Sequence, residues 1–246
     1  MKNYQNVKTA LIYLAAGLII SFTLGGCSSY PATSRINVSD NRVVLSEMRM
    51  AFNFDHEKQA SSPHTGHAIE LSASKTRGNA SSSLESGQLP VVLHGVKFTS
   101  PQQLKYDFDY EYGDIAWRWR KFFNEGILGL EVTAGHGYTT VDLKVSSATQ
   151  AASDQFSSKG PRAGVGLILR LNSSSSFQAR ALQYMSFAYG VDNIKRAEIV
   201  YAKTLFNNFN LRAGYAGLQV WGTNHYGESD FKFDMAGPVL ALDLSF

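Results

Sequence analysis

Arginine and carboxylate side chains recur at alternate positions of segments that are otherwise apolar. Arg162 and Arg170 share one parity of a segment whose other parity reads Ala163, Val165 and Leu167. A guanidinium group donates up to five hydrogen bonds and can bridge two carboxylates, so arginines and acids on a shared face can form a network of ion pairs. The candidate arginines are Arg118, Arg120, Arg162, Arg170, Arg180, Arg196 and Arg212, and the candidate acids are Glu70, Glu131, Glu198 and Asp243, with Asp107, Asp109 and Glu111 nearer the outer mouth.

The second reactive group is the thiol of Cys27, the single cysteine among 246 residues. One cysteine excludes an intrachain disulfide framework and a cysteine-rich zinc site. Residues 1–26 read as a secretory signal, because Lys2 and Lys8 supply a positive start and an apolar stretch follows over 9–24. A plain signal peptide or an uncleaved transmembrane anchor is the alternative interpretation.

The residues Leu24-Gly25-Gly26-Cys27 resemble the bacterial lipobox, an aliphatic residue and two small residues before an obligatory cysteine. This resemblance implies that the chain is cut before Cys27 and that this residue is acylated, with palmitate among the expected lipids. Ser28 in the next position implies delivery to the outer membrane by the lipoprotein-sorting machinery. Residues 27–64 then form a lipidated tether.

Catalytic chemistry has one candidate, His225, in a polar run before the last apolar segment. The run is similar to the His-Tyr-Ser-Asn motif of lipid A deacylases, in which histidine activates serine beside a carboxylate. Gly227 occupies the serine position, so Ser229 would have to be the nucleophile, with Glu228 or Asp230 orienting the histidine. A loop is the favoured interpretation, and we do not expect an enzyme.

Three histidines, His56, His64 and His67, are close enough in sequence to be considered as metal ligands. His64 and His67 are not at an established strand or helix spacing, so we predict no metal site and no cofactor. The formal charge is +3, from 23 basic and 20 acidic residues, and removal of residues 1–26 with Lys2 and Lys8 leaves 21 against 20. A polyanion-binding protein keeps a basic excess, so nucleic acid is not an expected partner.

Alternation of apolar and polar residues dominates from residue 65 onward and predicts β-strands. At the end of the chain Leu240, Leu242 and Leu244 share one face, whereas Ala241 and Asp243 share the other. Short turns alternate with longer connections, which is typical of an antiparallel up-and-down barrel. We predict an all-β fold with eight strands at 66–76, 103–122, 127–145, 159–172, 176–190, 193–206, 209–222 and 231–246.

The segment 103–122 changes parity at Gly113: apolar residues fall on even positions before it and on odd positions after it. We therefore predict a β-bulge near Gly113-Asp114. A tight turn there would give two strands instead, and together with an extra strand in 42–55 it would raise the count to ten.

The predicted barrel domain, 65–246, has features of a membrane barrel, whose charged face points inward. Glycines on the polar face leave room for long arginines, and the chain ends in Phe246, which resembles the terminal signature of outer-membrane barrels. Aromatic residues gather near both strand ends, as two girdles would require. One predicted girdle contains Trp117, Trp119, Phe122, Phe123, Phe206, Phe209 and Phe246, and the other contains Tyr106, Tyr138, Phe187, Tyr189, Trp221 and Phe233.

Residues 65–246 thus resemble small outer-membrane barrels such as the eight-stranded domain of outer-membrane protein A. The resemblance implies a transmembrane barrel with a plugged, ion-paired lumen and a structural or surface-interaction role. Expected partners are outer-membrane lipids, lipopolysaccharide and the barrel-assembly machinery, with loops 77–102, 146–158 and 223–230 outside. One alternative is a lipid A-modifying barrel hydrolase that uses the run around His225. The other is a lipocalin-like lipid-binding lipoprotein, although the Gly-x-Trp signature of that family is missing.

Overall fold

The structure is a computed structural model that describes residues 35–40, 43–54, 65–123, 126–186, 190–206, 208–223 and 229–245. Every regular element in these ranges is a β-strand, so the all-β prediction is confirmed. The strands are β1 (Arg35–Asp40), β2 (Leu45–Asn53), β3 (Thr65–Leu84), β4 (Val91–Leu93), β5 (Val96–Phe98), β6 (Gln102–Phe123), β7 (Leu128–Ser146), β8 (Ala151–Asn172), β9 (Ser175–Met185), β10 (Gly190–Phe206), β11 (Phe209–Thr223) and β12 (Asp230–Ser245).

Nine strands of the described chain close into a ring in the order β2, β3, β6, β7, β8, β9, β10, β11 and β12. Neighbours are antiparallel except at the closing pair, where β12 and β2 run parallel from Val239 opposite Leu45 to Ser245 opposite Ala51. An up-and-down ring with an odd number of strands must contain such a parallel pair. β1 extends the same seam by pairing with the first half of β12. The pairing of β2 on both sides removes the free edges of β12 over Val239–Ser245 and of β3 over Ala68–Lys75.

The predicted count of eight strands and the fully antiparallel order are therefore wrong for the described part of the chain. The ninth position is filled by β2, which lies in the segment assigned to the tether. Ser46, Met48 and Met50 point outward while Glu47 and Arg49 point inward, so this short segment has the same two-faced pattern as the other strands. The predicted tether 27–64 thus contains two strands of the sheet.

β6 contains neither a bulge nor a turn at Gly113, so the predicted split into two strands is wrong. The extra strand expected in 42–55 is present as β2, and the whole sheet has ten strands when β1 is included. β6 keeps one register with both neighbours, and Gly113 lies opposite Ala73 and Tyr138. Its even-numbered residues point inward along the whole strand, from Leu104 to Phe122. The hydrophobic parity changes because the surroundings change: the barrel interior is apolar before Gly113 and charged after it.

The half of the barrel that contains residues 113–123 of β6 is here called the charged half, after its interior. Its outer wall is an apolar belt of large side chains, and Trp117 is 40% exposed there. Belt members include Met48, Phe52, Ile115, Trp117, Val165, Leu171, Phe177, Ile199, Tyr201, Leu205, Tyr215, Leu240 and Leu242. Lys121 and Lys203 lie at the rim of this belt.

The other half, which contains residues 102–112 of β6, is the apolar half and has the opposite polarity. Tyr106 and Phe108 are buried inside it, and Phe108 stacks on Phe233 with ring centroids 5.1 Å apart. Lys105 and Asp107 lie on its outer wall. The prediction that Tyr106, Phe122 and Phe233 belong to the girdles is wrong, because all three are buried inside the barrel. Phe187, Tyr189 and Phe246 lie outside the described residues.

A hairpin of β4 and β5 covers the end of the apolar half, which we call the capped end. Its turn, His94-Gly95, has two positive φ values of 48° and 74°, as a tight hairpin turn with the right twist requires. Leu93 and Phe98 are fully buried. The opposite end is the open end, where the turns 126–127 and 173–174 are short.

Two of the predicted outer loops are shorter than expected. β3 continues to Leu84, so the loop predicted at 77–102 begins later and contains the hairpin. The predicted loop 146–158 shrinks to 147–150, because its polar sequence still alternates, with Ala152 and Phe156 inside. The predicted loop 223–230 lies partly outside the described residues.

Candidate functional site

The interior of the charged half holds two clusters of arginines and acids. In the first, Arg49 lies against Glu47, and its Nη2 is 2.8 Å from Glu198 Oε1. Arg196 Nη2 lies 2.7 Å from Glu47 and 2.6 Å from Glu198. Arg212, whose side chain has no exposed surface, lies 3.0 Å from Glu198. The three arginines thus share Glu47 and Glu198. The Nε atom of Arg212 also lies 2.9 Å from Asp243.

The second cluster is built around two glutamates, Glu70 on β3 and Glu131 on β7, the two strands that flank β6. Glu70 accepts hydrogen bonds from Arg118 at 3.0 Å and from Arg180 at 3.2 Å. Glu131 accepts from Arg120 at 2.6 Å and also from Arg180. Arg180 lies on β9 and therefore reaches across the interior to β3, and also contacts β7, which fixes the distances between these non-adjacent strands.

Arg162 joins this cluster to the boundary with the apolar half. Its Nη2 donates to Asp114 at 2.9 Å, and its Nη1 donates to the Thr133 hydroxyl at 2.8 Å. Gly166 makes the neighbouring space available, because a Cβ there would lie 3.1 Å from Arg180 Cγ. A larger residue at Gly166 would push the Arg180 guanidinium away from Glu70 and Glu131.

The interior charges nearly balance, with a small positive excess among the described residues. Eight arginines face six acids: Arg49, Arg118, Arg120, Arg162, Arg170, Arg180, Arg196 and Arg212 against Glu47, Glu70, Asp114, Glu131, Glu198 and Asp243. Buried charges are costly unless they are paired and hydrogen-bonded. Because they are paired, the charged side chains can fill the lumen in place of water without the cost of an isolated buried charge.

Beyond the network, at the open end, a cavity of about 600 Å³ remains. Four of its lining side chains are arginines, and one is an acid, Asp243. Arg170 lies over the Phe122 ring, 3.7 Å from its centroid. The remaining lining is a mixture of amide, hydroxyl and aliphatic side chains, including Asn53, Gln178, Thr204, Asn210, Ile168 and Leu171.

Every arginine named from the sequence lies inside the barrel, as do Glu70, Glu131, Glu198 and Asp243, and Arg170 lies at the cavity rather than in the network. The inward placement of Asp107, Asp109 and Glu111 is wrong, because the odd-numbered residues of β6 lie on the outer wall. Sequence reasoning missed Glu47, Arg49 and Asp114. The apolar–polar alternation in β2 could have placed Glu47 and Arg49 on the inner face of the barrel. Asp114 was hidden by the expected bulge, which reversed the predicted parity after Gly113.

The alternative catalytic and metal candidates are not assembled into a site within the described chain. His225, Glu228, His56 and His64 lie outside the described residues, as does Cys27. Ser229 is buried, and its Oγ accepts a hydrogen bond from the Val92 N–H at 2.8 Å, which fastens the hairpin to the barrel. No group of three or more His, Cys, Asp or Glu residues placed to hold a metal is found in the described ranges.

His67 lies beside the Trp117 ring, with centroids 5.5 Å apart.

Among the described residues there is no helix long and apolar enough to cross a membrane. Comparison with known proteins identifies no relative: no protein-family model matches the chain, and no curated protein and no solved structure matches it either.

Proposed function

We propose that this chain is an outer-membrane lipoprotein whose β-barrel crosses the bilayer with its charged half. The barrel is closed to solutes, and it acts as a structural or surface-interaction component. The observation that carries this proposal is the reversal of polarity halfway along the barrel, because the outer wall is apolar only where the lumen is ionic.

The height of the apolar belt fits a bilayer. On β6 the belt runs from Gly113 to Phe123, on β8 from Ala163 to Leu171 and on β12 from Pro238 to Ser245, so each strand contributes about eight to eleven residues. Tilted strands of this length span an apolar band of about 25 Å. A soluble monomer rarely exposes so large a continuous apolar surface.

The lumen provides no continuous water path in this proposal. Ion pairs fill the charged half, packed rings such as Phe108 and Phe233 fill the apolar half, and the hairpin covers the capped end. We therefore expect no large steady openings in planar-bilayer recordings of the purified protein. Large openings would refute the closed lumen while leaving the spanning barrel intact.

Cys27 supplies a second attachment in the proposal, because the lipobox resemblance implies acylation. Several acyl chains hold a protein to a bilayer far more firmly than one. Substitution of Cys27 should abolish incorporation of labelled palmitate without unfolding the barrel. Persistent labelling of the variant would refute Cys27 as the acylated residue.

The decisive experiment separates the barrel from the lipid anchor. Residues 1–27 are exchanged for an ordinary cleavable signal peptide, cleavage is verified by mass, and the membranes are washed with alkaline carbonate. We expect the protein to stay in the outer-membrane fraction and to migrate differently before and after boiling. Release by the wash would refute the spanning barrel and would favour the lipocalin-like alternative.

In the proposed orientation the capped end faces outward, since short turns such as 173–174 lie on the periplasmic side of outer-membrane barrels. The capped end would then meet lipopolysaccharide and any surface partner. Protease added to intact cells should cleave within 85–101. Cleavage that requires permeabilised cells would reverse the orientation.

A further inference from the structure

We propose that the cavity at the open end binds a small neutral saccharide, a molecule whose hydroxyl groups both donate and accept hydrogen bonds. This inference goes beyond the proposed function, because it depends on the lining of the cavity and not on which surface of the barrel meets lipid. It requires no unpaired charge in the lining.

The charged side chains of the lining already have partners. Three arginines, Arg49, Arg118 and Arg120, each pair with a buried glutamate. Asp243 pairs with Arg212, and the fourth arginine lies over an aromatic ring. A ligand with a formal charge would have to break these pairs or enter without a counterion, whereas a neutral ligand leaves them intact.

The larger part of the polar lining is neutral. Nine side chains are amides or hydroxyls, against five that are charged. Amide and hydroxyl side chains both donate and accept hydrogen bonds, as the hydroxyl groups of a saccharide do. Ile168 and Ala202 add apolar surface on which the C–H groups of a sugar ring can pack. The volume of about 600 Å³ is within the range of pockets that enclose small ligands.

Two of the amides are held by one partner each and keep a second hydrogen-bonding group for a ligand. Gln178 donates through Nε2 to Ser176 Oγ at 3.2 Å, and within the described chain its Oε1 accepts no hydrogen bond. Asn210 accepts through Oδ1 from Thr204 Oγ1 at 2.6 Å, and its Nδ2 donates to none of the described residues. Both lie two residues before a network arginine on the same strand, so they share its inward face. The cavity is thus provided with one fixed acceptor and one fixed donor.

Arg120 adds further donors without adding an unmatched charge. Its Nε donates to Glu131 at 2.6 Å, which leaves the two terminal nitrogens of the guanidinium group. The Arg120 side chain keeps 26% of its surface exposed, and it forms part of the lining. A paired guanidinium group can still donate from these nitrogens to a neutral oxygen, such as a hydroxyl or an amide carbonyl.

The test uses the full-length protein in a polyoxyethylene detergent, because a detergent with a sugar headgroup would compete for the cavity. The probes are cellobiose, which offers hydroxyl groups, and N,N′-diacetylchitobiose, which adds amide carbonyls. The tested variant is Gln178→Met/Asn210→Leu, which removes both amides and keeps side chains of similar size. Gln103→Met is the matched control, because Gln103 is exposed on the outer wall of the apolar half. Titration calorimetry measures binding, and far-UV circular dichroism verifies that each variant retains its strand content.

We expect saturable binding of at least one disaccharide, weakened about tenfold or more in the double variant, which corresponds to about 1.4 kcal/mol or more. Gln103→Met should bind like the unchanged protein, and tighter binding of N,N′-diacetylchitobiose would add amide carbonyls to the recognised groups. Absence of saturable binding of both probes would overturn the proposal, as would equal binding by the double variant. If the double variant loses strand content, Gln178→Met alone must weaken binding for the proposal to stand.

Discussion

Arg49 and Glu198 form an ion pair across the interior of the barrel, with 2.8 Å between Arg49 Nη2 and Glu198 Oε1. Arg49 lies on β2 and Glu198 on β10, strands that are not neighbours in the ring. Glu198 also accepts from Arg196 and Arg212, so one carboxylate holds three guanidinium groups. The pair therefore ties the strand that completes the ring to the opposite wall.

Removal of the Glu198 charge should strongly destabilise the barrel. In Glu198→Gln, three buried arginines lose a shared counterion, and an uncompensated buried charge costs about 3–5 kcal/mol. The measurement is the free energy of unfolding from urea titration of the protein in detergent or lipid vesicles.

Glu111→Gln is the matched control for that variant. Glu111 is paired with Lys75 on the outer wall, where both side chains are about half exposed. Such surface pairs contribute about 0–1 kcal/mol. Equal destabilisation by the two substitutions would show that the interior network does not hold the barrel together.

Glycines in the apolar half should be intolerant of even one methyl group where a ring lies over them. A Cβ at Gly78 would overlap the Phe108 ring, whereas a Cβ at Gly217 would meet nothing within 4 Å. We expect Gly78→Ala to lower the free energy of unfolding by about 1–3 kcal/mol. Gly217→Ala should leave it nearly unchanged.

A double-mutant cycle with Phe108→Leu tests the cause of the Gly78 effect. If the overlap is responsible, Gly78→Ala should cost less when Phe108 is already shortened. Additive effects of the two substitutions would instead place the cost elsewhere in β3.

The sequence predicts the strands of this fold better than it predicts the number of strands in the ring. Alternation identifies each long strand because one face of every strand is apolar. It cannot say whether the apolar face is inside or outside, and in this barrel the answer changes along a single strand. At Tyr112 the inward residue is aromatic and at Asp114 it is an acid, so a constant register looks like a parity shift in the sequence.

The candidate site is predictable in composition but not in arrangement. The arginines were found because they interrupt apolar segments, which is a local signal. Their partners depend on which strands face each other across the ring, and this follows only after β2 is placed. The cavity has no sequence signature, since its lining comes from turns and strand ends that are distant in the chain.

Buried tyrosines in the apolar half should limit stability at alkaline pH. Burial raises the pKa of Tyr106 and that of Tyr110 above the ordinary value of about 10. Above that pH the unfolded chain releases protons that the folded barrel retains, so the free energy of unfolding falls as pH rises. The expected slope reaches about 1.4 kcal/mol per pH unit for each tyrosine.

Urea titrations at pH 9 to 11 measure this slope directly. Tyr106→Phe/Tyr110→Phe should flatten it, because phenylalanine has no proton to release. Tyr138→Phe, at an exposed position, serves as the control for the loss of a tyrosine hydroxyl as such. An unaltered slope in the double variant would assign the alkaline loss of stability to other groups.

The last prediction compares two outward positions on one strand, Val165 in the apolar belt and Ser157 on the outer wall of the apolar half. If the belt meets lipid, Val165→Arg should cost about 2–4 kcal/mol, the penalty for arginine near the middle of a bilayer. Ser157→Arg places the same side chain in water and should cost little. The readout is the fraction of heat-modifiable protein in the outer-membrane fraction, together with the free energy of unfolding in lipid vesicles. Equal, small effects at both positions would mean that water surrounds the whole barrel, because an exposed arginine is costly only where its charge cannot be hydrated.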